Sequence, residues 1–301
     1  MSPEPARVAV AGATGDLGLR IVRALVAEGA AVTAIVRPGT GAVRVAPLTA
    51  LGVRIAEAGA GRPGSWQSAC MGADCVVSAF NGLSATILDA QTVLLEGAVR
   101  AGVPRFVPSD FSIDYAKTVP GGNRNLDLRR AFRERLDAAP IRATSVLNGA
   151  FMELLAGQAP LILHGLHRVL YWGSADQRLD FTTKADTAAF TARAALDPDP
   201  PRWLRVAGDS FSVRELADAV SAVRGTRYRP LRGGSLRLLD LMIRATRTVA
   251  PGRGAVFPAW QGMQYLRDMF DGRAQLTPLD TDRYPDLRWT DVREFLTAGR
   301  R

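Results

Sequence analysis

Short apolar runs separated by amphipathic stretches fill the first half of the chain. Residues 8–11, 31–36, 52–57, 74–80, 105–108 and 143–147 are brief and mostly apolar or small. Continuous apolar character over so few residues predicts strands buried on both faces, as in a parallel sheet. Between them the period changes. Leu17, Ile21, Val22 and Leu25 recur at helical spacing, and helices are also predicted over about 86–101 and 125–138. Such alternation predicts an α/β fold, a Rossmann-like doubly wound parallel sheet with helices on both faces. The second half is less regular. Residues 168–172, 180–183 and 202–206 read as extended, and 184–196 and 212–223 as helices, the latter opened by a Ser212–Glu215 capping box. Beyond Gly225 the strand signal fades into helical and loop-like pieces carrying Trp260, Tyr265, Met269, Tyr284 and Trp289. The pattern predicts one domain over 1–150 and a smaller, mostly helical part over 151–301, with about 168–206 returning to the main sheet.

The first strand runs into glycines. Residues 7–18 read Arg-Val-Ala-Val-Ala-Gly-Ala-Thr-Gly-Asp-Leu-Gly. A strand, a glycine-rich turn and a helix make a pyrophosphate site: Gly12 permits the turn, Gly15 admits the phosphates, and Gly18 lets helix and strand pack closely. The helix N-terminus adds its dipole. The spacing, G-x-x-G-x-x-G, is a variant of the commoner dinucleotide fingerprint. The second strand ends at Arg37, nineteen residues after Gly18. A carboxylate there would accept from a free ribose; an arginine offers a fork of donors suited to a 2′-phosphate. NADP(H) is therefore the expected cofactor, although Asp16 places an anion in the loop.

Composition narrows the classes. Of 301 residues, 47% are hydrophobic and 22% charged, ordinary for a globular protein. No run reaches the roughly 18 apolar residues of a membrane span, and no basic-then-apolar leader is visible, so a cytoplasmic protein with no membrane partner is expected. Cys70 and Cys75 form neither a disulfide framework nor a metal set. The net charge is +9, and lysine occurs only at 117 and 184. Residues 224–253 hold eight arginines and one acid, Asp240. Without interleaved aromatics this segment reads as an amphipathic helix with a solvated basic face, and no nucleic-acid partner is expected.

Three motifs now combine. Residues 10–18, Arg37 after strand two, and Phe106-Val-Pro-Ser-Asp-Phe111 after strand five resemble the NmrA-like and isoflavone-reductase-like branch of the atypical short-chain dehydrogenase/reductases. The resemblance continues through Lys184-Ala-Asp-Thr-Ala188 and Ser212-Val-Arg-Glu-Leu216, covering about residues 6–225. It implies a Rossmann domain, a small C-terminal substrate domain and NADP(H). Members are reductases of small, often aromatic metabolites, or redox sensors that bind the dinucleotide without turning it over. The chain departs from the enzymes at the proton donor. No tyrosine is followed four residues later by lysine, and the reductase branch's lysine position falls on Leu128 or Arg129. Arginine stays protonated and cannot replace it.

The expected cofactor-binding set is Gly12, Thr14, Gly15, Asp16, Leu17, Gly18 and Arg37, with Ala79, Phe80 and Asn81 closing strand four, Ser109 strand five and Asn148 strand six. Proton transfer is assigned to Tyr115, Lys117 or Asp110, which follow the strand-five motif, with His164 and His167 in reserve. No metal site is expected. The leading expectation is an NADPH-dependent reductase of a small apolar or aromatic carbonyl or conjugated metabolite. A non-catalytic NADP(H) sensor with a protein partner, and a non-redox cyclase or isomerase on the same fold, are the alternatives. The expected partners are a small-molecule substrate and a second copy of the chain.

Overall fold

The computed structural model describes residues 4–59, 62, 64–157 and 159–299. They divide into two compact units, neither continuous in sequence: Met1–Asp110 with Leu128–Val146 and Thr187–Leu204, and Phe111–Asp127 with Leu147–Asp186 and Arg205–Arg301. The sequence pattern suggested one boundary near 150; instead the chain passes between the units several times.

The first unit holds six parallel strands: β1 (Arg7–Ala11), β2 (Ala31–Val36), β3 (Arg54–Glu57), β4 (Cys75–Ser78), β5 (Arg105–Val107) and β6 (Arg142–Ala143). Their order is β3-β2-β1-β4-β5-β6, the doubly wound arrangement whose switch point lies between β1 and β4. Every residue of β4 is buried, as is all of β1 after Arg7, which explains why these strands show no alternation. Helix α1 (Asp16–Ala27) buries Ile21, Val22 and Leu25, the face its periodicity predicted. Helices α2 (Ala42–Thr49) and α3 (Ser65–Cys70) were not legible, being short and weakly patterned. Next come α4 (Gln91–Arg100) and α5 (Arg124–Asp137). A core of Val76, Leu94, Phe106, Phe132 and Leu136 fills the space among β4, β5, α4 and α5. Burial pushes the Cys70 and Cys75 thiols up to about 12, and both are free.

The predicted sixth strand is divided at Thr144. β6 pairs with β5, whereas β7 (Ser145–Leu147) turns away to pair with a later strand, β12 (Trp203–Arg205). The segment 168–206 therefore returns no strand to the main sheet; its contribution to the first unit is Thr187–Leu204, which holds most of helix α6 (Lys184–Leu196) and the start of β12. In the second unit β8 (Ala150–Phe151), β11 (Leu179–Thr182) and β13 (Asp209–Phe211) make one small sheet. Another contains β9 (Ile162–Leu163), β10 (Arg168–Trp172) and β14 (Arg229–Gly234). β14, Arg-Pro-Leu-Arg-Gly-Gly, lies beyond the point where strand signal fades. A proline and two glycines hide it, and they are tolerated because it is an edge strand. Helices α7 (Val213–Arg224), α8 (Leu236–Val249), α9 (Ala259–Asp271) and α10 (Val292–Ala298) complete this unit. Among the described residues no helix is long and apolar enough to cross a membrane, and no cluster of three or more His, Cys, Asp or Glu could hold a metal.

Candidate functional site

The glycine turn stands at the switch point of the six-stranded sheet. Gly12 leaves β1 with φ at +78°, and a β-carbon there would lie 2.6 Å from the Ala79 carbonyl oxygen. A β-carbon on Gly18 would collide with the backbone of Gly12. The turn closes when the Gly15 N–H donates to the Gly12 carbonyl at 2.9 Å. Leu19 is the first amide to donate back along α1, to Gly15 at 2.9 Å. The amides of Leu17 and Gly18 ahead of it have no acceptor within the helix, the arrangement that favours an anion. Asp16 does not leave its charge uncompensated, because Arg20 Nε donates to its Oδ1 at 2.8 Å.

Two arginines serve the same end of the sheet. Arg37 is exposed directly after β2, where its carbonyl accepts from the Thr40 N–H and hydroxyl. Arg44, on α2, donates from Nη2 to Thr14 Oγ1 at 3.4 Å and so reaches into the glycine loop. The sequence reading missed Arg44; it carries no motif, and its relation to Thr14 comes from the fold alone. Beside the turn, Ser78 ends β4 fully buried, and its hydroxyl has no hydrogen-bond partner. A buried orphan hydroxyl, a turn with no room for side chains at Gly12 or Gly18 and an adjoining helix N-terminus fit a dinucleotide phosphate group.

The ends of β4 and β5 are fastened together. Ser109 donates from its hydroxyl to the Phe80 carbonyl at 2.5 Å and from its N–H to Gln91 Oε1 at 2.9 Å. Gln91 Nε2 in turn donates to the Ile87 carbonyl, securing the π-helical turn Ala85–Ala90 that leads into α4. Asn81 beyond Phe80 is exposed. Asp110 is buried, and its Oδ2 accepts from Ser145 Oγ at 2.6 Å; Arg202 Nη1 donates to that same hydroxyl at 2.7 Å. Asp110 is thus built into a Ser145–Arg202 network.

Tyr115, Lys117 and Asn148 belong to the second unit. Tyr115 lies in a 3-10 turn and is completely buried. Lys117 Nζ donates to the carbonyls of Gln275 (3.0 Å) and Thr277 (3.2 Å) and pairs with Asp114 at 3.5 Å. Two hydrogen bonds and an ion pair make this amine a clamp on the C-terminal segment. Asn148 is fully buried with neither side-chain polar atom partnered, while Gly149 after it takes φ +68° against the Asp180 backbone. His164 Nδ1 lies 3.0 Å from the Tyr228 hydroxyl, and partial burial, Arg224 and His167 hold its pKa below the usual range.

Residues 4–239 match the model of the NmrA-like family. The chain belongs to that family. Among curated relatives, pinoresinol reductase 1 of Arabidopsis thaliana is 34% identical over 210 residues, 65% of this chain and 66% of the relative, slightly under two thirds of its length. The structure of AtPrR2 with NADP+ and (+)pinoresinol superimposes with a TM-score of 0.81 at 23% identity, covering 98% of this chain and 99% of that one. The NADPH-dependent quinone oxidoreductase QOR2 of Escherichia coli, complexed with NADPH, gives 0.77 at 20% identity, covering 98% of this chain and all of that one. Their shared architecture is the NmrA-like fold. In this NmrA-like chain, Leu128 and Arg129 are half-buried on α5 and supply no titratable amine.

Proposed function

We propose that this NmrA-like chain is a cytoplasmic NADPH-dependent reductase of a small apolar or aromatic carbonyl or conjugated compound. The observation that carries the reading is the glycine turn at the switch point, with Arg37 after β2 and Arg44 bonded to Thr14. The relatives' names add support: pinoresinol reductase on one side, an NADPH-dependent quinone oxidoreductase on the other. In this reading Gly12, Gly15 and the amides of Leu17 and Gly18 hold the pyrophosphate. Asp16, neutralised by Arg20, stays out of its way. Thr14, Arg37 and Arg44 take the 2′-phosphate. Ser78, Ala79, Phe80, Asn81 and Ser109 shape the strand ends. NADPH, when bound, supplies the hydride. Arg129, permanently charged, does not supply the proton.

The clamping of Lys117, together with the burial of Tyr115, favours one second reading, an NADP(H) sensor that binds without turnover. Titration calorimetry with NADPH and NADH tests the cofactor assignment common to both. The expected result is NADPH binding at least about tenfold tighter, worth about 1.4 kcal/mol. Equal affinities, or no binding, would contradict it.

A further inference from the structure

The basic segment, read from the sequence as an amphipathic helix with a solvated basic face, also exposes an apolar stripe. On α8 only Leu239 and Ile243 are buried. Leu238, Leu241, Ala245 and Val249, spaced three and four apart, form a separate row along the helix. Leu241 is 61% exposed and Val249 85%, and Phe257 in the loop beyond is 58% exposed. Arg237 and Arg244 make the adjoining row, and both are exposed. The only acid in residues 224–253, Asp240, is paired with Arg267 at 3.0 Å, and so compensates none of the segment's eight arginines. Arg232, Arg237, Arg244 and Arg253 make no ion pair among the described residues. The family match ends at residue 239, in the first turn of α8.

We propose that α8 and the 250–257 loop dock the protein on an anionic bilayer surface. The helix has 14 residues, about 21 Å, too short to span but suited to lie in the interface. Its leucine row would enter the headgroup boundary while the arginines beside it take lipid phosphates in bidentate pairs. Charge complementarity selects this occupant over the others. A second copy would bring two uncompensated basic faces together. A nucleic acid gains nothing from exposed leucine and valine, and the aromatic platforms that stack bases are missing from the helix. A convex helix face offers an acidic protein segment no groove, whereas a bilayer needs none. The inference does not depend on the reductase reading.

Co-sedimentation of the full chain with phosphatidylcholine vesicles, with or without about one-third phosphatidylglycerol, tests it. Binding is expected only to the anionic vesicles, and is expected to fall as salt is raised. Arg237→Gln with Arg244→Gln should weaken it about 25-fold, about fivefold per arginine. Leu238→Gln with Leu241→Gln should weaken it by about tenfold or more, since buried apolar area sets the remaining strength. All four positions are exposed, so an unchanged melt confirms that each variant is folded. Absence of vesicle binding, or binding by both double variants as tight as the parent chain's, would overturn the proposal. Capture by an RNA oligomer or a polyglutamate peptide without vesicle binding would overturn it as well.

Discussion

A β-carbon on Gly15 would stand 3.2 Å from the Gly12 carbonyl oxygen, and one on Gly18 closer still to the same group. Gly18 therefore tolerates no side chain, whereas at Gly15 a shift of a few tenths of an ångström would admit one, in the space where phosphates are expected. Gly15→Val should abolish dinucleotide binding by calorimetry while the protein remains folded, because Gly15 is exposed and its φ of −84° is open to any residue. A normal isotherm from that variant would move the nucleotide elsewhere. The arginines give a graded test. Arg37→Ala and Arg44→Ala should each weaken NADPH binding about ten- to a hundredfold, the loss of one charge-assisted contact, and leave NADH binding nearly unchanged. Lys117 was legible as one of only two lysines, but not its bonds to Gln275 and Thr277, which lie some 160 residues downstream. Lys117→Met should lower stability by about 1–3 kcal/mol in a denaturant melt, with turnover per folded molecule preserved. A large fall in kcat at unchanged stability would restore it to the chemistry.

Elements were legible where a local rule dictated them. Ser212 accepts from the Glu215 N–H and Glu215 accepts from the Ser212 N–H, the capping box read from the sequence. That backbone N–H, with the Ser212 hydroxyl and Arg178, holds the Glu215 carboxyl below its usual range. A lowered folded pKa means that the carboxylate's stabilisation is complete above its ordinary value and fades as pH falls through the lowered one. Glu215→Ala should therefore lower the melting temperature at neutral pH, and the difference from the parent chain should shrink in acid. An equal difference at both pH values would leave the carboxylate without a role. Elements without such a rule escaped notice. α2 presents one buried side chain, Leu48, so its pattern has no face to reveal. β14 is specified by pairing with β10, a partner nearly sixty residues away, and its Pro and Gly content signals a turn.

For the molecule as a whole, the doubly wound parallel sheet followed from alternation because right-handed crossovers leave few ways to wind parallel strands. The division into units did not follow. α5 and α6 each run from one unit to the other, and nothing in their periodicity marks the residue where they cross. The orphan groups of Ser78 and Asn148 were equally hidden, since an unmet hydrogen bond is a property of surroundings and not of sequence. Hydride transfer by this protein would be read as NADPH consumption against a panel of quinones, enones, aromatic aldehydes and pinoresinol. The reductase reading predicts substrate-dependent loss of NADPH absorbance that disappears in Gly15→Val and persists in Lys117→Met. If NADPH and NADP+ bind with distinct affinities and no panel member is reduced, that reading is contradicted and the sensor reading takes its place.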